Sequence, residues 1–588
     1  MNFELVAGAV GSYHGENDDS GTMAPFLDSD VYKWLEAAGW ELAQGERAEV
    51  RGLAEPMIAR IERAQREDGY LDTFYQVVKP GEEFTNLQWG HELYVAGHLV
   101  QAAIAWKRGL DDDRLLRVAE RSIARIEAEL GPGKREEVCG HPEIEMALVE
   151  LYRLTGNRRH LDFARTLVER RGHGVLGRCL HGARYWQDHA PVRVATEPAG
   201  HAVRQMYLDA GVVDVAVESS DEALLASAVR RWEAMTHSFA YITGGLGAHH
   251  RDEAFGAAFE LPPDRAYAET CAAIGSTMLS WRLLLATGQE RFADLIERTA
   301  YNAILAALAA DGTHFFYSDP LMRRSHVAEV VEGAATTSRT PWPTIACCPP
   351  NLMRFLATFP DMAVTAHEGG LRVHQFVTGT FSTRIAGKPV EIEIRTNYPW
   401  DGRVDVTVLR SIDGPWSISI RVPSWSKRTI ARVDAEPVAV GPDADRVEFH
   451  RNWRAGDVFS LSLDMEPRVV EPDPRIDAIR GCVALERGPI VYAVEDADLP
   501  EGASVESLEI ARYPDLRATD ETDPGLGRIV SLAFDGRVRA DDAAGWPYRE
   551  SGSSTKLEAA PVRVRAIPYF AWGNRDRLGM RIWIPRLD

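Results

Sequence analysis

Reactive side chains are concentrated in the first 360 residues of this 588-residue chain, which hold all but three of the 17 histidines and all but one of the six cysteines. The densest group is the motif TIACCPPN, in which Cys347 and Cys348 are adjacent and two prolines follow. Adjacent cysteines rarely form a relaxed disulfide, whereas a stiff loop with two thiols can supply two ligands to a soft metal. The prolines also predict that no helix continues through Pro349 and Pro350.

A second segment, AYAETCAAIG, places Glu269 and Cys271 two residues apart at the predicted start of a helix. Together with Cys347 and Cys348 they would form a four-coordinate zinc site, although the spacing is not that of a zinc finger. Two simpler interpretations stay open, namely cysteines that only pack in a core and a purely structural zinc. Three thiolates and a carboxylate carry excess negative charge, which a labile sulfur relieves, so one metal-held thiolate could attack carbon.

Such a nucleophile needs a partner acid, and Glu253 lies upstream in the glycine-rich loop GGLGAHHRDEAF. The glycines do not predict nucleotide binding, because the loop lacks the lysine and the preceding strand of a phosphate-binding loop. On its own, Glu253 would be a solvated carboxylate. Its position in a loop close to the cysteine site makes it the candidate general acid.

Three histidines, His91, His141 and His201, each follow a glycine and stand at the start of a predicted helix. A single histidine in such a place is usually a helix cap or a packing residue. Three with the same pattern predict hydroxyl-binding groups that line a pocket. A three-histidine metal site is the alternative, but it would leave the cysteines unexplained.

The elements that must position these residues change type along the chain. From Asp30 to about Pro360, apolar residues recur every three or four positions in ten candidate helices with no strands between them. This pattern predicts a ring of helical hairpins, an α/α toroid. Beyond Arg372 the period becomes two, which predicts two β-sandwiches. We therefore predict three domains, residues 1–363, 364–468 and 469–588.

The composition excludes several classes of partner. With 87 acidic and 66 basic residues the net charge is −21, which disfavours nucleic acid and anionic membranes as partners. No apolar run approaches the ~20 residues of a membrane helix, and the first residues lack the pattern of a signal peptide. We expect a cytoplasmic protein with reduced thiols, acting as a monomer or homodimer.

The motifs GGLGAHHRDEAF, YAETC and ACCPPN, in that order, resemble glycoside hydrolase family 127, whose members include β-L-arabinofuranosidases. HELYVAGH, GHPEIE, GHAVRQMYL and VALERGPIVYAVE are also similar to that family, so the resemblance covers nearly the whole chain. It implies an (α/α)6 catalytic barrel followed by β-sandwich domains, and a small carbohydrate as the substrate.

The resemblance also implies roles for single residues. Those roles are zinc ligands at Glu269, Cys271, Cys347 and Cys348, a nucleophile at Cys347, a general acid/base at Glu253, and sugar contacts at His91, His141, His201 and Glu297. The implied reaction is retaining exo-hydrolysis that releases β-L-arabinofuranose, or a closely related furanose, through a thioglycosyl intermediate. Two alternatives remain. One is another α/α-barrel carbohydrate enzyme, such as an unsaturated-uronide hydrolase or an epimerase, and the other is a non-catalytic carbohydrate-binding protein with structural zinc.

Overall fold

A computed structural model describes residues 1–15, 24–325, 338–343, 345–539, 560–575 and 579–587. A helical part comes first and a strand-rich part follows, as the change of period predicts. The α-helices of the described residues are α1 (Asn2–Val6), α2 (Asp28–Gln44), α3 (Ala48–Ala64), α4 (Thr73–Val77), α5 (Glu92–Leu110), α6 (Arg114–Leu130), α7 (Ile144–Thr155), α8 (Arg158–Arg170), α9 (Gly182–Tyr185), α10 (Ala202–Glu218), α11 (Glu222–Ser238), α12 (Thr270–Thr287), α13 (Arg291–Thr299) and α14 (Cys348–Thr358). None of these helices is long and apolar enough to cross a membrane.

Six helices form a closed circuit of contacts. In order they are α2, α5, α7, α10, α12 and α14, and α14 contacts α2 again. Three of these six helices, α5, α10 and α12, bury residues around their whole circumference, which places them in the interior. By contrast, α6 buries one stripe at helical spacing, from Leu115 to Leu130, and packs outside α5. Helices α3, α8, α11 and α13 similarly pack outside the circuit.

All ten predicted helices are present in the structure, and the last of them continues beyond α13 as a π-helical turn, Ala300–Ile304. The interpretation of Pro349 and Pro350 was wrong. They lie in the first turn of α14, where a missing backbone N–H removes no intrahelical hydrogen bond. The prolines therefore begin a helix directly behind Cys347, which is the N-cap residue.

The strand-rich part begins after residue 363. The strands of the described residues are β1 (Met322–Arg323), β2 (Val364–His367), β3 (Gly370–Val373), β4 (Gly379–Ile385), β5 (Lys388–Thr396), β6 (Arg403–Arg410), β7 (Trp416–Arg421), β8 (Ile430–Val433), β9 (Glu436–Val438), β10 (Arg446–Arg451), β11 (Val458–Ser462), β12 (Arg468–Val470), β13 (Cys482–Arg487), β14 (Ile490–Glu495), β15 (Leu508–Ile510), β16 (Arg517–Asp523), β17 (Gly527–Val538), β18 (Ala560–Pro568), β19 (Met580–Arg581) and β20 (Ile584–Pro585).

Strands β2 to β11 form two sheets that share one hydrophobic core. The four-stranded sheet has the order β10-β7-β3-β2 and the six-stranded sheet the order β4-β5-β6-β11-β8-β9. Ile418 of β7 and Ile392 of β5 are both fully buried in the shared core. Within the four-stranded sheet, β3 and β7 are parallel, and the other pairs are antiparallel.

The last strands form a ten-stranded set whose main path is β1-β19-β14-β18-β17-β15. One member, β1, comes from the helical part of the chain, and its Met322 pairs with Arg581 of β19. Nearby, the hydroxyl of Tyr569 donates to the backbone carbonyls of Asp319 and Pro320, at 3.3 and 3.1 Å. The C-terminal part of the chain therefore contacts residues 319–323, just after Tyr317.

Candidate active site

A cavity of about 620 Å³ lies where the inner helices begin. His91, His201, Glu269 and Cys347 are the N-cap residues of α5, α10, α12 and α14, and all four line it. His141, which also lines the cavity, precedes α7. The N-terminal ends of the inner helices therefore bring chemically active side chains together from distant parts of the chain.

Steric contact explains why a glycine precedes His141 and His201. A Cβ atom at Gly140 would lie 1.9 Å from the carbonyl oxygen of Gln88, and one at Gly200 would lie 2.3 Å from that of Tyr185. Gly200 also has a φ of +65°, in the region that favours glycine. The backbone passes too close to its neighbours at these points for any side chain.

Glu269, Cys271, Cys347 and Cys348 form a compact cluster whose possible ligand atoms all lie within 4.8 Å of one another. The sulfur–sulfur distances are 3.6, 3.3 and 3.8 Å, far longer than a disulfide bond. A tetrahedral metal with bonds of ~2.3 Å to sulfur would hold its sulfur ligands about 3.8 Å apart. The buried Oε2 of Glu269 has no hydrogen-bond partner among the described residues. The donor set therefore fits a four-coordinate metal ion.

The three thiols are not equivalent. Burial raises the pKa of Cys271 and Cys348, whose S–H groups can donate to Cys347. Those donated hydrogen bonds hold the pKa of Cys347 well below its usual range, and the Lys33 ammonium and the Tyr317 hydroxyl lower it further. Cys271 and Cys347 both line the cavity, but Cys347 is partly exposed, whereas Cys271 and Cys348 are buried. Cys347 is therefore the thiol best placed to react as a thiolate.

Glu253 accepts three hydrogen bonds. His201 Nε2 lies 2.7 Å from its Oε2, while the hydroxyls of Tyr267 and Tyr317 lie 2.7 and 3.2 Å from its Oε1. Burial alone would raise its pKa, but the bonds from His201 and Tyr267 and the charge of Arg204 lower it to about 2. Glu253 is therefore held as a carboxylate. Its backbone has a φ of +55°, a conformation that functional residues often adopt.

Tyr317 connects the carboxylate to the thiolate. Its hydroxyl lies 3.5 Å from Cys347 Sγ and 3.2 Å from Glu253 Oε1, so these two atoms are at most 6.7 Å apart, the sum of the two distances. Sequence reasoning missed both tyrosines. Tyr267 was within reach because it begins the motif YAETC, whereas Tyr317 lies in FFYSDP, where no motif pointed to it.

His91 and His141 have a fixed protonation pattern. Their Nδ1 atoms lie 2.5 and 2.8 Å from the carbonyl oxygens of Trp89 and Pro142. Because a carbonyl only accepts, Nδ1 carries the proton and Nε2 is left as an acceptor. Burial lowers the pKa of His91 to about 3 and that of His141 well below its usual range, so both rings are neutral.

The structure does not bring Glu297 to this cavity, although the other predicted site residues lie in or beside it. Glu297 lies on α13 and is buried against the two-sheet domain, where Tyr398 donates to Oε1 at 2.6 Å and Trp425 to Oε2 at 2.9 Å. Arg421 forms an ion pair with it. The expectation of a sugar contact at Glu297 fails because both of its oxygens are occupied at this interface.

Family models match the chain in three consecutive parts. Residues 5–361 match a model described as the β-L-arabinofuranosidase GH127 catalytic domain, and residues 370–465 match the GH127 middle domain. Residues 467–585 match the glycoside hydrolase family 127 C-terminal domain.

Relatives and solved structures agree with these models. A non-reducing end β-L-arabinofuranosidase from Bifidobacterium longum subsp. longum is 32% identical over 97% of this chain and 90% of its own length. The crystal structure of a GH127 β-L-arabinofuranosidase from Geobacillus stearothermophilus T6 superposes with a TM-score of 0.91 at 34% identity, covering 100% of this chain and 93% of that one. A second GH127 β-arabinofuranosidase structure superposes with a TM-score of 0.88 at 30% identity, covering 100% of this chain and 91% of that one. The three family models and the relative at 32% identity show that this chain belongs to glycoside hydrolase family 127 and is a glycoside hydrolase.

Proposed function

We propose that this enzyme is a retaining, exo-acting β-L-arabinofuranosidase that releases β-L-arabinofuranose, or a closely related furanose, from oligosaccharides or glycoconjugates. The activity named for the Bifidobacterium relative supports this substrate. The observation that carries the mechanism is the Tyr317 hydroxyl, which contacts both Cys347 Sγ and Glu253 Oε1. Retaining glycosidases hold their two reacting groups ~5–5.5 Å apart, within the 6.7 Å limit that these contacts set.

We also propose Zn²⁺ as the metal of the cluster, held by Glu269, Cys271, Cys347 and Cys348. Three sulfur donors and one carboxylate are a ligand set that suits zinc. Bound zinc would keep its thiol ligands deprotonated at neutral pH. The unpartnered Oε2 of Glu269 supports this assignment, because a buried carboxylate oxygen without a partner is costly.

In the first proposed half-reaction, Cys347 Sγ attacks the anomeric carbon while the glycosidic bond breaks. The leaving oxygen takes a proton from Glu253, which must therefore enter this step protonated. The free site favours its carboxylate form. Sugar binding would expel water from the cavity and raise the pKa of Glu253, because desolvation destabilises the charged form. The product of this step is a thioglycoside of Cys347.

In the second half-reaction Glu253 acts as the base, the form that its hydrogen bonds favour in the free site. It removes a proton from water, whose oxygen attacks the anomeric carbon while the carbon–sulfur bond breaks and returns the electron pair to Cys347. Two inversions at one carbon give net retention. We propose that His91, His141 and His201 contact the sugar during both steps.

We propose that the six-helix circuit is the inner ring of an (α/α)6 toroid, and that the domains span residues 1–363, 364–468 and 469–588, the last two as β-sandwiches. The bounds of the three family models support this division. All six cysteines are unpaired, which supports the proposal of a reducing, cytoplasmic compartment.

The test is to trap and locate the intermediate. An electrophilic analogue of the sugar should add one pentose unit to the peptide that contains Cys347, as read by mass spectrometry. Cys347→Ser should abolish both adduct and turnover, whereas the matched control Cys139→Ser, at a buried cysteine outside the cluster, should keep both. NMR should show the β-anomer as the first product. An α-anomer, or full activity of Cys347→Ser, would overturn the proposal and favour a uronide hydrolase or epimerase.

A further inference from the structure

Arg204 is a buried arginine without a hydrogen-bond acceptor. It is 3% exposed, and no hydrogen bond or ion pair of its side chain occurs among the described residues, where its Nε and Nη1 are buried and unpartnered. Other buried arginines differ. Arg231 pairs with Asp209, and Arg354 pairs with Glu36. A guanidinium with five N–H donors is costly to bury unless something accepts them.

Aromatic rings hold this guanidinium in place. Its central carbon lies 4.3 Å from the ring centre of Trp186, 5.1 Å from that of Tyr185 and 5.6 Å from that of Trp89. Such cation–π contacts offset part of the cost of burying the charge. They supply no oxygen or nitrogen acceptor, however, so the N–H groups remain available.

The position of Arg204 places it beside the histidines. It lies three residues after His201 on the first turn of α10, so both side chains share one face of that helix. Arg204, His91 and His141 line the same cavity. The Nε2 atoms of His91 and His141 have no hydrogen-bond partner among the described residues, and their protonated Nδ1 atoms make them acceptors. This side of the cavity therefore presents hydrogen-bond acceptors on the two histidines and donors on Arg204, none of which is paired with another described residue.

A sugar hydroxyl matches this polarity, because it donates one hydrogen bond and accepts up to two. We propose that Arg204 is a specificity-determining substrate-binding residue, whose guanidinium donates to ring-hydroxyl oxygens of the sugar while the same hydroxyls donate to Nε2 of His91 or His141. This inference rests on the proposed glycosidase function and adds the group that recognises the hydroxyls. A substrate lacking one of these hydroxyls would leave the Arg204 donors unpaired and bind weakly.

The test combines variants of Arg204 with altered substrates. The substrates are an aryl β-L-arabinofuranoside and its deoxy and deoxyfluoro analogues at each ring hydroxyl. Arg204→Gln should raise KM for the parent about 10- to 100-fold, the effect of losing a hydrogen bond to a charged group. For the analogue that lacks the hydroxyl bound by Arg204, wild type and Arg204→Gln should have the same raised KM, because the contact is already missing in both. The fluoro analogue should still respond to the substitution, because fluorine can accept from Arg204 but cannot donate to histidine.

Two controls separate binding from support of the fold. Arg204→Lys keeps the charge and should recover part of the affinity, while Trp186→Phe disturbs the aromatic cage but keeps the donors. Trp186→Phe should therefore discriminate among the deoxy and deoxyfluoro analogues in the same order as wild type. An equal loss for every deoxy analogue with Arg204→Gln, or an unchanged KM, would overturn the proposal, provided that circular dichroism shows a folded variant.

Failure of the proposed function is recognised separately. If wild type hydrolyses no arabinofuranoside, that function fails, and Arg204 is tested by titrating L-arabinose while following the fluorescence of Trp89 and Trp186. The expected result is a saturable change that Arg204→Gln weakens about tenfold or more, as expected for one lost charged hydrogen bond. No saturable change in wild type, or an equal affinity in Arg204→Gln, would overturn the inference.

Discussion

Replacing Tyr317 by phenylalanine removes one oxygen atom that contacts both proposed reacting groups. Its matched control is Tyr267→Phe. The Tyr267 hydroxyl lies 2.7 Å from Glu253 Oε1, as a donor to the same atom, but it makes no hydrogen bond to Cys347 among the described residues. The Tyr317 hydroxyl lies 3.2 Å from Glu253 Oε1 and 3.5 Å from Cys347 Sγ. The two variants therefore separate an effect on the acid from an effect on the nucleophile.

The expected magnitudes follow from these contacts. A hydrogen bond to a charged group contributes about 1.5–3 kcal/mol, and 1.36 kcal/mol corresponds to one pKa unit. Loss of the Tyr267 donor should therefore raise the pKa of Glu253 by about 1–2 units. A reaction that needs protonated Glu253 is lost as pH rises through the pKa of Glu253 in the sugar-bound site, so the alkaline limb of kcat, which reports that complex, should move to higher pH. Tyr317→Phe should also lower kcat/KM about 10- to 100-fold, because once Glu253 is protonated for the first half-reaction, the single hydroxyl proton of Tyr317 is free to be donated to the Cys347 thiolate, and the substitution removes it.

The assay is the pH dependence of kcat and of kcat/KM for aryl glycosides with poor and with good leaving groups. A good leaving group needs little help from an acid, so Tyr267→Phe should turn it over almost as fast as wild type. Tyr317→Phe should remain slow with that substrate, because attack by Cys347 is still impaired. Equal rates for the two variants with the activated substrate would refute the assignment of Cys347 as the group that Tyr317 supports.

Three further predictions concern stability, pH and metal. Glu297→Gln should lower the stability by about 3 kcal/mol, read by calorimetry, because Arg421 loses a buried ionic partner; activity per folded molecule should stay unchanged, and a stable but inactive variant would contradict this. Burial raises the pKa of Asp319 to about 8, so the free energy of unfolding of the wild type should fall as pH rises from about 4 to about 8. In urea titrations, the stability of Asp319→Asn relative to wild type should therefore increase across that pH range. A gain independent of pH would contradict this reasoning. Cys271→Ala should lose bound zinc, measured by mass spectrometry of the metal, whereas Cys139→Ala should keep one zinc per chain; equal zinc in both would argue against the cluster.

Much of the architecture was predictable because it depends on periodicity. Helices such as α6 repeat apolar residues at helical spacing, and strands such as β6 alternate, so both signals are local. The cluster of Glu269 with Cys271, Cys347 and Cys348 was predictable from residue type, since thiols and a carboxylate in such numbers suggest a soft metal. The structure brings their ligand atoms within 4.8 Å of one another.

The remaining features depend on contacts between distant segments. Glu297 looks like any carboxylate on an amphipathic helix, and only the approach of Tyr398 and Trp425 shows that it holds two domains together. Arg204 gives no sign in the sequence that aromatic rings will enclose it. The helix α14 was missed because proline usually ends a helix, and its tolerance in the first turn depends on where the helix begins.

The pairing of β1 with β19 limits how far this enzyme can be divided. β1 lies between Tyr317 and the helix that carries the thiol pair, so the C-terminal domain pairs with a stretch of chain that is close in sequence to residues of the candidate site. An excised fragment that stops at residue 361 would leave that stretch without its anchor. The three parts of the chain that match separate family models therefore cannot be exchanged freely between relatives. An exchange would also have to preserve the pairing of β1 with β19.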